Sequence, residues 1–134
     1  MAAFTKLEEI NVWTASKKLA LQVYKLSKES IASDDFAYLN QLRRAAISIM
    51  SNIAEGFGRN SDKEFAHFLS IARGSALETK SLLSPGVDLG YFGDEDYKKI
   101  DEETSHVIAQ LTTLGQYLRG TPKRQTSPKV SVKL

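Results

Sequence analysis

The sequence predicts an all-α fold, an antiparallel up-and-down bundle of four helices, on three observations. Apolar residues recur at three- and four-residue spacing in four separate stretches, as they do on helix faces. No stretch alternates apolar and polar residues with the period of two that marks a half-buried strand. Breakers and caps stand between the stretches: Ser33-Asp34, then Gly56, Gly58 and Ser61, then Ser84-Pro85-Gly86. Short connections of this kind make sequential helices antiparallel neighbours.

The first helix is expected over residues 7–30, with Val12, Ser16, Leu19, Val23 and Leu26 in one row and Trp13, Ala20 and Tyr24 beside it. Lys17, Lys18, Lys25 and Lys28 lie off that face, while Glu8 and Glu9 in the first turn suit the helix dipole. Ser33 and Asp34 are placed to cap a second helix over 35–57, which Gly56 and Gly58 help to end. Ser61-Asp62-Lys63-Glu64 has the spacing of a capping box for a third helix. Its core row is Phe65, Leu69, Ala72 and Ala76, widened by Phe68, Ile71 and Leu82. Pro85 has no backbone donor for Ser81, so a kink or stop is expected near Ser84-Pro85-Gly86. The fourth helix opens near Asp94 and carries Tyr97, Ile100, Thr104, Val107, Leu111, Leu114 and Leu118 in a strict seam.

The second helix has an unusual surface. Between Arg44 and Glu55 it carries no charged residue. Leu39, Leu42, Ala46, Ile49 and Ile53 make one buried stripe, Ile47, Met50 and Ala54 a second, and Gln41, Ala45, Ser48 and Asn52 occupy much of the far side. A helix without a strongly charged outer face is expected to be covered on more than one side. The rest of the chain can cover one side and a further copy the other, so the protein is expected to self-assemble.

Composition narrows the function. The length of 134 residues suits one domain, expected over 1–119 with a flexible tail over 120–134. The absence of cysteine removes disulfides, thiolate metal sites and thiol nucleophiles. There is neither a long apolar run nor a signal-peptide core in MAAFTKLEEI, so no membrane association is expected and a cytoplasmic location is. The net charge of +2 hides an asymmetry, because Arg119, Lys123, Arg124, Lys129 and Lys133 occupy 119–134 with no acid among them. Elsewhere 13 basic residues face 16 acidic ones.

Several arrangements invite a chemical reading. Both histidines follow a glutamate at the spacing of a di-iron bundle site, Glu64/His67 and Glu103/His106, yet both lie off the core rows and at different levels along the bundle. No metal or other cofactor is therefore expected. Gly56 to Ser61 resembles a phosphate-binding turn but lacks a preceding strand and reads as a helix-to-helix connection. Gln41, Ser48, Asn52 and Glu55 share one side of the second helix and read as a hydrogen-bonded packing network. No nucleophile and base can be paired by position, so no enzymatic activity is expected.

The pattern Val12-Trp13, then Gln41-Leu42-Arg43-Arg44-Ala45-Ala46 with Ser48, then Asn52-Ile53-Ala54-Glu55-Gly56, resembles the bacterial 23S rRNA intervening-sequence proteins. It continues through Arg59, Ser61, Glu64-Phe65, Phe68-Leu69, Ile71-Ala72, Gly74-Ser75, Glu78 and Leu89-Gly90-Tyr91. The resemblance implies a homopentameric ring of antiparallel bundles. It also implies kinship with the accessory variability determinant of diversity-generating retroelements, whose pentamers bind nucleic acid. Pro85-Gly86 departs from the family's usual continuous helix.

Two functions are weighed beside a remote metal-dependent oxidase. In the first, a ring binds RNA or DNA through Lys17, Lys18, Arg43, Arg44, Arg59, Arg73, Arg119, Lys123 and Arg124. The alternative for these cations is plain solvation, or for Arg43 an ion pair with a carboxylate such as Glu78. In the second, the ring is an adaptor for a protein client. In both, Gln41, Ile47, Ser48, Met50, Asn52, Glu55 and Glu78 form the packing or interface set.

Overall fold

A computed structural model describes residues 4–31 and 34–120. Among them the elements are a 3-10 turn, Leu7–Glu9, and four helices: α1 Asn11–Glu29, α2 Phe36–Phe57, α3 Asp62–Asp88 and α4 Asp94–Leu118. The described residues contain no strand. Each helix packs on two others, α1 on α2 and α4, and α3 on α2 and α4, so one core runs down the middle. The expected tail, with Lys123 and Arg124, lies outside the described residues.

The core consists of the apolar rows. Leu19 and Val23 of α1, Leu42, Ile49 and Ile53 of α2, Leu69 and Leu83 of α3, and Val107 and Leu111 of α4 are all almost fully buried. Each such side chain contributes about 1.5–3 kcal/mol by leaving water. Polar residues inside these rows bond within their own helix. Ser16 donates to the Val12 carbonyl at 2.7 Å, Ser27 to Val23 at 2.8 Å and Thr104 to Ile100 at 2.7 Å. That satisfies the hydroxyl at no cost in partners, which is how an apolar row accepts it.

Four local expectations are corrected. The first helix is not continuous over 7–30: Ile10 is extended, with φ −88° and ψ 103°, between the 3-10 turn and α1. The Glu9 carboxylate accepts the Thr5 and Lys6 amides at 2.8 and 3.3 Å, closing a separate turn that lets Ile10 enter the core. Glu8 and Glu9 therefore lie outside the first turn of α1. The cap of α2 is Asp35, which accepts the Tyr38 amide at 3.3 Å, and not Asp34; Ser33 lies outside the described residues. Ser61 caps α3 by accepting the Glu64 amide at 3.1 Å, but the Glu64 carboxylate faces Arg59 at 3.8 Å. Ile71, expected to widen the core, is exposed.

Of the kink or stop expected near Pro85, the stop is corrected: α3 runs through the proline and continues to Asp88. Ser81, whose carbonyl loses its donor to the proline, sits on the exposed side. The next carbonyl, that of Leu82, accepts the Tyr38 hydroxyl of α2. Gly86 follows because nothing larger fits: a β-carbon there would lie 2.2 Å from Phe92 Cε2 and 2.5 Å from the Tyr38 hydroxyl. The helix then closes with Gly90 at φ +76°, Gly90 N–H bonding Val87 and Tyr91 N–H bonding Gly86 at 2.9 and 2.8 Å. That is a Schellman closure, and it places its left-handed residue at a glycine.

Candidate functional site

The candidate cations divide by what they touch. Arg59 is neutralised where it stands, 2.9 Å from Glu55 and 3.8 Å from Glu64, with its guanidinium 4.8 Å from the Phe68 ring centre. Lys17 lies over Trp13 at 5.7 Å, while Lys18 lines a cavity of about 520 Å³ between α1 and α4. Arg44 is exposed, and its side chain makes no hydrogen bond or ion pair among the described residues. Arg43 does not pair with Glu78. It faces α1 instead and lies over Tyr24 at 5.4 Å, its buried Nε without a hydrogen-bond partner. A cation over a ring keeps its charge uncompensated.

Arg73 and Arg119 line one groove. Arg73 Nε donates to Thr112 Oγ1 at 3.0 Å, and Arg119 Nη2 to Ser70 Oγ at 2.9 Å and the Ala66 carbonyl at 3.5 Å. Both line one cavity of about 310 Å³ between α3 and α4, with Leu69 and Leu111 as floor and Gln116 at the side. The hydroxyls face the arginines with their lone pairs, because Thr112 donates to the Ile108 carbonyl at 3.0 Å and Ser70 to that of Ala66 at 3.3 Å. Gly115 leaves room for Arg119 to fold back, since a β-carbon there would lie 3.2 Å from its Nη1. Sequence reading named the two arginines but missed Ser70, Thr112, Gly115 and Gln116. A usable signal was present: residues 65–77 and 104–119 contain no acid.

The expected packing network is half formed. Ser48 and Ser75 hydroxyls lie 2.7 Å apart, and Asn52 Nδ2 donates to the Ser48 carbonyl and hydroxyl at 2.9 and 3.0 Å. Ser75 of α3 is the member the sequence did not disclose. Gln41 and Glu78 stay exposed and Glu55 is bound to Arg59, so none of the three joins. Met50 is partly buried against the core and Ile47 is 39% exposed.

Glu103 accepts from Gln22 at 3.4 Å, and His106 is exposed on the α1/α4 cavity. His67 is exposed too, edge-on to Phe68 at 5.6 Å. Among the described residues no three acids or histidines gather as metal ligands. No described helix is long and apolar enough to cross a membrane.

Fold and surface together define a small all-α four-helix protein whose polar chemistry lies in the grooves between helices. The chain belongs to the 23S rRNA-intervening sequence protein family, whose sequence profile matches residues 8–113. It is also similar to the crystal structure of a protein of unknown function from the S23 ribosomal protein family of Bacteroides thetaiotaomicron. That similarity has a TM-score of 0.72 at 26% identity, covering 78% of this chain and 98% of the other. No curated protein matches the chain.

Proposed function

We propose that the protein is a non-catalytic, self-assembling, antiparallel up-and-down four-helix bundle that holds RNA or DNA on cations its own carboxylates leave free. One observation carries this. Lys17, Lys18, Arg43, Arg44, Arg73 and Arg119 make no ion pair with a carboxylate among the described residues, and neither do Lys6, Lys25, Lys28, Lys63 and Lys99, whereas Arg59, Lys80 and Lys98 do. Cations held apart from acids attract phosphates with an affinity that falls steeply with salt.

The antiparallel reading is supported by α2 and α3, where Tyr38, Ser48 and Gly56 meet Leu82, Ser75 and Phe65 in turn. Assembly is supported by apolar side chains left outside: Leu21, Tyr24, Phe36 and Ile47 are exposed along α1 and α2. A pentameric ring is the form the family resemblance implies, and it multiplies weak phosphate contacts by the number of subunits. The accessory variability determinant offers an analogy for a ring of this kind that binds nucleic acid. Binding of labelled single-stranded RNA and DNA at rising salt tests the reading. Affinity falling linearly on a double-logarithmic plot supports it; no binding at low salt overturns it.

A protein client is the second reading. The run Asp94, Glu95 and Asp96 at the start of α4 repels a polyanion, and the exposed Leu21 and Phe36 suit an apolar partner. A partner retained after nuclease treatment favours this reading over the first.

A further inference from the structure

We propose that the groove between α3 and α4 is a seat for one phosphate group, held by Arg73 and Arg119. It takes such a group whether or not the protein grips a polynucleotide.

Two guanidiniums share the cavity of about 310 Å³ without a carboxylate among its lining residues. The acids flanking it in sequence are Glu64, which faces Arg59, Glu78, which is exposed, and Glu103, which accepts from Gln22. Like charges lining one groove repel, and an anion bound between them converts that repulsion into attraction. Neither arginine has its donors exhausted. Arg73 uses Nε alone and Arg119 uses Nη2, leaving the other N–H groups without a partner among the described residues.

The groove also fixes how the arginines sit. Thr112 and Ser70 give their protons to backbone carbonyls one turn earlier, so each hydroxyl can only accept from its arginine. The two bonds hold the forks from opposite helices before any ligand arrives. Leu69 and Leu111, almost fully buried, form an apolar floor that strengthens a charge-assisted bond above it. A planar carboxylate is served by one fork. Two forks from different helices match the several oxygens of a tetrahedral phosphate.

The test follows the Arg73 and Arg119 Nε–Hε resonances of the full chain while inorganic phosphate is added, with chloride at matched ionic strength as control. Saturable movement with phosphate and none with chloride is expected. Arg73→Gln and Arg119→Gln should each weaken phosphate about tenfold, with Arg73→Lys restoring part of the loss. Equal movement in chloride, or none in phosphate, overturns the seat. A single-stranded oligonucleotide without terminal phosphates then separates the sources. If it competes, a backbone phosphodiester occupies the seat; if it does not, the seat stands for a free phosphate ester and polynucleotide is held elsewhere or not at all.

Discussion

The Tyr38 hydroxyl of α2 donates to the Leu82 carbonyl of α3 at 2.5 Å, one turn before Pro85. Tyr38 is half-buried and tilted against Tyr91, with ring centres 5.5 Å apart, and the Tyr91 hydroxyl in turn donates to Asp35, the α2 cap, at 2.5 Å. One tyrosine thus serves the proline-bearing turn, and a neighbouring one braces the start of the helix it comes from.

Alkaline unfolding reads this cluster. Burial pushes the Tyr38 hydroxyl up to about 12, and the bond to Asp35 raises that of Tyr91. An unfolded tyrosine ionises near 10. The fold therefore keeps protons that the unfolded chain has released, so stability is intact below pH ~10 and falls between about 10 and 12. Urea midpoints should decline across that window and decline less in Tyr38→Phe. At neutral pH the same variant should lose about 1 kcal/mol with the hydrogen bond.

Gly86→Ala should destabilise by about 1–3 kcal/mol, read as a lower urea midpoint at unchanged slope. The added carbon would fall 2.2 Å from Phe92 Cε2, and Phe92 is buried and cannot swing away freely. Gly74→Ala is the control. Nothing lies within 4 Å of a β-carbon there, so it should gain about 0.5–1 kcal/mol from helix propensity alone.

These two glycines mark what could be read in advance. Helix rows were legible because periodicity reports burial directly: Leu42, Ile49, Leu69 and Leu111 all lie where their spacing put them. That the helix runs on through Pro85 could not be read, because the groups around that turn, Tyr38 and Phe92, come from other elements. Ile10 was misread because its burial depends on a side-chain cap at Glu9 that periodicity does not record. The cations could be named but only partly sorted: Glu55 stands four residues before Arg59 in sequence, whereas the Tyr24 ring under Arg43 and the Thr112 hydroxyl on Arg73 come from other helices. Ser70 and Thr112 went unnamed for the same reason, and Ser75 was named only within the family pattern and not as the partner of Ser48.

The proposed assembly makes a prediction about Ile47, exposed on the charge-free stretch of α2. A carboxylate there is easily hydrated in a lone subunit but costly in a covered interface. Ile47→Asp should leave the helix signal in circular dichroism intact while lowering the mass by light scattering towards the 14.9 kDa of one chain. A wild-type protein that scatters as one chain at micromolar concentration removes the ring.

Sorting of the cations predicts unequal losses in the proposed nucleic-acid binding. Arg59 is compensated by Glu55 and Glu64, so Arg59→Gln removes a charge that already has partners and should change affinity less than twofold. Arg44 has no such partners, and Lys17 only the Trp13 ring. Arg44→Gln or Lys17→Gln should weaken binding severalfold at low salt, with a shallower dependence on salt because fewer counterions are released. In a multivalent assembly each lost contact recurs in every subunit, so the fall should exceed that of a monomer made by Ile47→Asp. Equal effects from Arg59 and Arg44 would mean that the local ion pairs do not govern which cations reach a phosphate.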